Sequence, residues 1–297
     1  MGNFPPEPDV ANSTQNALAF SLAALLAYDE EPRIIDRARA WGLSECRFLS
    51  RAGTQAFVAA DRCSILVAFR GTEPMAEDWL TDLDFPKVRG PRGLVHGGFQ
   101  DALNVIWSDL AETLRTFRTA GQGLWLTGHS LGAALATLAA ARLEFETRVE
   151  TSGLYTFGSP RVGDGQFRRF AESRFGRRNF RFANYRDLVT RVPFEWMGYE
   201  HVGQVRYFDA GGMLHEDPFG WFDFMANEPV GDLFVEFVGT GCREQQKAAA
   251  HLRALLQKYE RCHAIDRYVE LLTAAVEKDA APVKDRAGAY LTSGTDL

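Results

Sequence analysis

Residues 123–141 constrain this chain more than any other stretch. The apolar run Gly123-Leu-Trp-Leu-Thr127 stops at Gly128-His-Ser-Leu-Gly132, and a helix-favouring run of small residues, Ala133-Ala-Leu-Ala-Thr-Leu-Ala-Ala-Ala141, begins at once. Strand, tight turn and helix are what Gly-x-Ser-x-Gly requires. Neither glycine has a Cβ, so the backbone can fold sharply at 128 and the following helix can press close at 132. Ser130 is thereby lifted to the apex, with its hydroxyl above the ends of a sheet. An ordinary strand-to-helix turn that contains a serine would share the pattern, but the flanking strand and helix favour a nucleophile elbow. Such a serine needs a base, a carboxylate that orients the base, and donors for an oxyanion.

The rest of the chain alternates between helical and strand periods. An apolar helix over Asn16–Tyr28 and an Arg-rich one over Ile34–Trp41 precede strand-like runs at Cys46–Leu49, Gln55–Ala60 and Ser64–Phe69, the last being the most apolar and therefore the most central. Met75, Trp79, Leu80 and Leu83 then recur at helical spacing among acidic residues, which makes Met75–Phe85 a short amphipathic helix. Val95-His-Gly-Gly-Phe99 opens a long helix to about Ala120. Beyond the elbow, strands at Leu154–Phe157 and Phe180–Tyr185 flank a helix at Gln166–Phe175, and Glu200–Phe208 reads as a last strand. Met213–Phe237 is crowded with aromatics, and helices at Arg243–Tyr259 and Ala264–Lys278 close the pattern with His263 between them. This alternation predicts an α/β fold with a predominantly parallel sheet flanked by helices. No linker divides it, so residues 1–279 read as one domain and 280–297 as a flexible tail.

A formal net charge of -6 argues against a nucleic-acid surface. The four cysteines (Cys46, Cys63, Cys242, Cys262) lack the close spacing of zinc or redox motifs, which favours reduced thiols in a reducing compartment. Cys242 and Cys262, at the two ends of one predicted helix, would stand roughly 30 Å apart and could not bridge. A Cys46–Cys63 link is left open. The apolar run Ala17–Ala27 is too short to span a bilayer and has no basic residue before it, since Arg33 is the first in the chain. The expectation is a cytoplasmic protein without a transmembrane segment, or a secreted one if an export signal preceded this sequence.

Six spaced motifs together resemble the class 3 lipase family of α/β-hydrolases, which contains fungal triacylglycerol lipases and plant phospholipase A1-like enzymes. They are Phe69-Arg-Gly-Thr72, His96-Gly-Gly-Phe99, the elbow, Tyr155-Thr-Phe-Gly-Ser-Pro-Arg-Val-Gly163, Asn184-Tyr-Arg-Asp187 with Val192-Pro193, and His263 ahead of Tyr268. The resemblance runs from about Asn16 to Ala274 and implies an α/β-hydrolase fold, with a triad in the chain order Ser, Asp, His.

Asp187, just beyond a buried strand, is the best carboxylate, because strand C-termini present side chains to a common cleft. Asp164 is its rival, but its place before a helix suits an N-cap. Among the six histidines, His129 is adjacent to the nucleophile and should point away from it into packing. His96 precedes the serine, His201 begins a strand, His215 lies in the aromatic stretch and His251 is spaced like a helix-face residue. His263 stands at the position where the family carries its base, although the segment between it and Asp187 is longer than in compact fungal members. The resemblance points to Leu131 N–H and to Thr72 as oxyanion donors, and to Met75–Phe85 as a lid, with Met75, Trp79, Leu80 and Leu83 as its apolar stripe. A fixed surface helix fits that stretch nearly as well. Met213, Phe219, Trp221, Phe222, Phe224 and Met225 could line an acyl pocket, form a second flap or be core.

The expectation is a serine carboxylic-ester hydrolase of lipase type, needing no cofactor and no metal. It would act on a lipid or small-molecule ester, with transient lipid-interface contact. A soluble esterase for short-chain or phenolic esters is the nearest alternative, and a non-catalytic lipase-like binding module is the alternative of another class.

Overall fold

The computed structural model describes residues 13–71, 86–216 and 250–280, apart from 253 and 256. The predicted stretches Met75–Phe85 and Phe219–Met225, and also Thr72, Cys242 and the tail beyond 280, lie outside these residues. Strands β1 (Glu45–Arg51), β2 (Thr54–Ala60) and β3 (Ser64–Phe69) form an antiparallel meander. A separate antiparallel ribbon follows, made of β4 (Lys87–Arg89) and β5 (Leu94–His96). Strands β6 (Gly123–His129), β7 (Gly153–Phe157), β8 (Asn179–Asn184) and β9 (Gln204–Phe208) extend β3 in parallel, and β10 (Leu214–His215) closes the edge antiparallel to β9. The sheet order is β1-β2-β3-β6-β7-β8-β9-β10.

Both faces of this sheet are covered, which is why its central strands β3, β6 and β7 are largely apolar. Ile65, Val67 and Phe69 of β3 point to one face, against α3 (Gly97–Phe117), α4 (Leu131–Glu146) and α5 (Gly165–Phe175). Leu66 and Ala68 point to the other, against α1 (Thr14–Leu26), α2 (Glu31–Ala40) and α7 (Ile265–Ala280). The run of small apolar residues in α1 is therefore explained by position. Ser13 caps it by accepting Asn16 N–H at 3.0 Å, and Phe20, fully buried, stacks on Tyr155 at 4.4 Å and on Trp125 at 5.3 Å. Truncating such a side chain costs about 3–5 kcal/mol.

Three sequence expectations shift. The long helix starts at Gly97 because Leu94–His96 is a strand, with His96 as the N-cap. Three-residue strands are too short to set up a period, so β4 and β5 are not readable in the sequence. His263 is the last residue of a short helical turn, α6 (Glu260–His263), rather than part of a loop. Cys46 and Cys63 are free thiols, so the Cys46–Cys63 link is not formed. No helix among the described residues is long and apolar enough to cross a membrane.

Candidate active site

The elbow is held where β6 enters α4. Ser130 has φ 56 and ψ -126, a conformation that costs a non-glycine residue on the order of 1–3 kcal/mol. Its N–H is held by Phe157 O at 3.0 Å, and its C=O receives Ala133 N–H at 3.0 Å. A Cβ on Gly128 would lie 2.3 Å from Gly132 O, and one on Gly132 would lie 2.3 Å from Phe69 O. Both glycines are therefore required by close backbone approach. Ser130 is the N-cap of α4 but makes no side-chain capping bond, so its hydroxyl is not committed to the helix. Leu131 opens α4, and its N–H accordingly has no acceptor within the helix.

Asp187 follows β8 and is buried. Its Oδ1 accepts Val189 N–H at 3.0 Å, and its Oδ2 accepts the Tyr268 hydroxyl at 2.5 Å. Burial, and after it the charge of Asp187, holds the Tyr268 pKa well above the usual phenol range, so the proton stays on the tyrosine. Both Asp187 oxygens lie 3.0 Å from His263 Nδ1. An ionised carboxylate can only accept, so Nδ1 donates to Asp187, and in the neutral ring Nε2 is then the nitrogen with the lone pair. Among the described residues, neither His263 Nε2 nor Ser130 Oγ, both buried, has a hydrogen-bond partner. Two adjacent features accompany the close approach of Asp187 and His263. Gly158 has φ +58, and a Cβ there would lie 2.9 Å from Asp187 Oδ2, His263 Cε1 and His263 Nδ1. Asn184 Nδ2 donates to Cys262 O at 2.8 Å, tying the end of β8 to the turn that carries His263.

His129 does more than pack. Its Nε2 donates to His263 O at 2.5 Å, which leaves Nδ1 to accept the Tyr28 hydroxyl at 2.8 Å. The two imidazole rings lie 4.5 Å apart. Burial first, and then the nearby His263, keeps the His129 pKa well below the imidazole range, so it is neutral. Tyr28 also presses on Gly71: a Cβ there would lie 2.2 Å from the tyrosine oxygen, 2.6 Å from His129 O and 3.3 Å from Ser130 Cβ. The residue immediately before Thr72 thus sits against the elbow.

The remaining candidates take other positions. Asp164 caps α5, accepting the N–H groups of Gln166 at 3.0 Å and Phe167 at 2.8 Å. His96 caps α3 through Phe99 N–H. His201 Nε2 donates to Thr190 O at 2.7 Å, and Thr190 Oγ1 donates to Asp187 O at 2.7 Å, so His201 buttresses the turn of the acid. Arg161, from the Gly158-Ser-Pro-Arg161 motif, holds the same turn through Arg191 O and Pro193 O. His215 lies on the edge strand β10 and bonds to Asp209 at 2.8 Å. Tyr28 and Asn184 carry no sequence signal for these contacts. Tyr268 carries one only in its spacing from His263.

A mostly parallel sheet with helices on both faces and a strand–serine turn–helix elbow is the fold of an α/β-hydrolase. Residues 66–197 match the family described as lipase (class 3). It is 29% identical over 269 residues to the triacylglycerol lipase OBL1 of Ricinus communis, covering 66% of this chain and 51% of that protein. It is 34% identical over 177 residues to the secreted mono- and diacylglycerol lipase 1 of Fusarium solani, covering 57% and 51% respectively. Among solved structures, the native Rhizomucor miehei lipase propeptide complex superposes with a TM-score of 0.55 at 26% identity, over 68% of this chain and 71% of that one. A triacylglycerol lipase whose catalytic centre is described as a serine protease triad superposes at 0.56 and 26%, over 68% and 84%. The chain spans about half the length of these two sequence relatives.

Proposed function

We propose that the chain is a serine carboxylic-ester hydrolase of lipase type, cleaving acylglycerols or related lipid esters through an acyl-enzyme on Ser130. One observation carries the proposal: Asp187 commits His263 Nδ1, while His263 Nε2 and Ser130 Oγ are both buried and, among the described residues, unpartnered. Leaving such groups unsatisfied costs about 1–3 kcal/mol each, an arrangement that folding alone does not reward. In the proposed reaction Ser130 Oγ attacks the ester carbonyl carbon as His263 Nε2 takes its proton. Collapse of the tetrahedral intermediate breaks the bond to the alkoxide, which leaves with that proton. Water, deprotonated by the same nitrogen, then adds to the acyl carbon, and the second collapse breaks the bond to Ser130 Oγ, which recovers the proton as the acid leaves. Leu131 N–H and Thr72, through its N–H and hydroxyl, are the proposed oxyanion donors. The contact of Gly71 with the elbow supports Thr72, and the N-terminal position in α4 supports Leu131.

The lipid substrate rests on the family and on relatives that are named as triacylglycerol and mono- and diacylglycerol lipases. Met75–Phe85 is proposed as the lid that covers the cleft in water and meets the lipid surface when open. Residues 1–279 are proposed as one catalytic domain. The free thiols favour a reducing compartment, whereas the Fusarium solani relative is named as secreted, and fractionation of the native host decides between them. A serine-directed phosphonate probe tests the nucleophile, with Ser130→Ala as the unlabelled control. Rates on p-nitrophenyl esters of increasing chain length and on emulsified triglyceride then separate a lipase from a soluble esterase. Absence of labelling on the folded protein would leave the binding-module reading.

A further inference from the structure

A polar cavity lies at the opposite end of α4 from Ser130. Phe145 stands near the last residue of α4 while Leu131 is its first, so the cavity is roughly 20 Å from the elbow. Its volume is about 660 Å³, within the usual range of small-molecule sites. Its walls come from the tip of the β4–β5 ribbon, the end of α4 and the end of α5, and they carry Arg92, Arg148 and Arg174 together with Phe145 and Phe170. The aromatic rings organise two of the cations. Arg92 lies over Phe145 at 5.5 Å, Phe145 meets Phe170 edge-on at 6.1 Å, and Arg174 lies over Phe170 at 5.9 Å. Arg148 is projected from a tight turn with φ 54.

The two carboxylates in the wall are engaged elsewhere. Glu144 Oε1 accepts Thr151 N–H at 3.2 Å, and Glu150 lies 3.7 Å from Arg178. Among the described residues Arg92, Arg148 and Arg174 have no carboxylate partner. Guanidinium forks stacked on aromatic faces and left without a counter-charge suit an oxyanion with several terminal oxygens. A carboxylate offers two such oxygens and a phosphate monoester three. We propose that this cavity binds a phosphoryl group, held by Arg92, Arg148 and Arg174 against the Phe145–Phe170 wall. The group could come from a phospholipid headgroup or from a soluble phosphate monoester. This proposal is independent of the chemistry at Ser130.

The test uses the whole chain and two probes. Sedimentation with phosphatidylcholine vesicles, with and without phosphatidic acid, reads the headgroup arm, and calorimetric titration with glycerol 3-phosphate reads the soluble arm. Wild-type protein is expected to bind at least one phosphate probe. The Arg92→Ala, Arg148→Ala, Arg174→Ala triple variant should weaken that binding by on the order of tenfold or more. Arg148→Lys should weaken it several-fold despite the retained charge, and the remote Arg37→Ala should leave it unchanged. Hydrolysis of a soluble short-chain ester should be the same in all of them. With a net charge of -6, general attraction to an anionic surface does not account for such binding. If the triple variant does not fold, the single alanine variants of these exposed arginines carry the comparison. The proposal is overturned if neither probe binds, if acetate competes as well as phosphate, or if Arg37→Ala weakens binding as much as the cavity variants.

Discussion

Tyr268 donates its hydroxyl to Asp187 Oδ2 at 2.5 Å across 81 residues of sequence, and the same hydroxyl oxygen accepts Asn184 N–H at 2.9 Å. The tyrosine thus holds a carboxylate oxygen that also lies 3.0 Å from His263 Nδ1. Tyr268→Phe leaves a buried N–H and a buried carboxylate oxygen each short of a partner, so unfolding free energy should drop by about 1–3 kcal/mol. A less firmly held Asp187 should also lower kcat for ester hydrolysis by roughly tenfold with little change in KM. Denaturant unfolding and steady-state kinetics on a soluble ester measure both. Unchanged kcat would mean that Val189 N–H and His263 suffice to hold the acid.

At the nucleophile, stability and activity should move in opposite directions. Ser130→Gly removes both the positive-φ penalty and a buried hydroxyl without a partner, so the thermal midpoint should rise. Ser130→Ala removes only the hydroxyl and should melt at or above the wild-type midpoint. Both should lose hydrolysis by on the order of 10⁶ in kcat where background permits, His263→Ala should match them to within about tenfold, and combining the serine and histidine changes should add little. A destabilised Ser130→Ala variant would show that the hydroxyl has a structural partner after all.

Thr72→Ala retains the backbone N–H and removes only the hydroxyl, so kcat should fall by roughly 10² with KM little changed. If stability drops and kcat does not, Thr72 serves only as a turn residue after β3.

Some of this organisation could be read from the sequence because it depends on neighbours in the chain. Gly128 and Gly132 mark the elbow since each is demanded by backbone only a few residues away or by the adjacent strand. Asp187 is visible as the carboxylate just beyond a buried strand, and β3 from its unbroken apolar run. Contacts between distant segments leave no such mark. Sequence adjacency suggests that His129 turns away from Ser130, but not that it meets Tyr28, 101 residues earlier, or His263 O, 134 residues later. The β4–β5 ribbon escapes for a different reason, since its residues are of mixed polarity and too few to show alternation.

Three histidines should make the fold acid-sensitive. Burial lowers the His96 pKa to about 4, and burial first, reinforced by neighbouring charge, lowers those of His129 and His201 well below the ordinary value. In the unfolded chain each titrates near ~6.5. Their contribution is therefore complete above pH ~6.5 and declines as pH falls, because the unfolded chain binds protons that the folded protein excludes. Each histidine adds up to about 1.4 kcal/mol per pH unit to the slope. For His96 the decline levels off near pH 4, and for the other two it continues lower. Urea unfolding at pH 7.5, 6 and 5 should show the decline, and His96→Asn should make it shallower by about one proton. A pH-independent free energy between 7.5 and 5 would contradict the neutral, buried state of these rings.

The most selective test of the acid–base geometry is Gly158→Ala, read against Gly53→Ala. Both glycines have positive φ, +58 at Gly158 and +82 at Gly53, so alanine incurs a backbone penalty at either place. They differ in what a new Cβ would meet. At Gly53 nothing lies within 4 Å, whereas at Gly158 the methyl would lie 2.9 Å from Asp187 Oδ2, His263 Cε1 and His263 Nδ1. None of those atoms is free to yield independently, because Asp187 is held by Tyr268 and Val189 and the His263 turn by Asn184 and His129. The methyl must therefore push the carboxylate and the imidazole apart. Gly53→Ala should lose about 1 kcal/mol of stability and keep its kcat. Gly158→Ala should lose more stability and also lower kcat by roughly 10² or more, since misplacing a catalytic group by about 1 Å carries a cost of that order. If folded Gly158→Ala retained wild-type kcat, close contact between Asp187 and His263 would not be what activates the serine, and the base would have to be sought elsewhere.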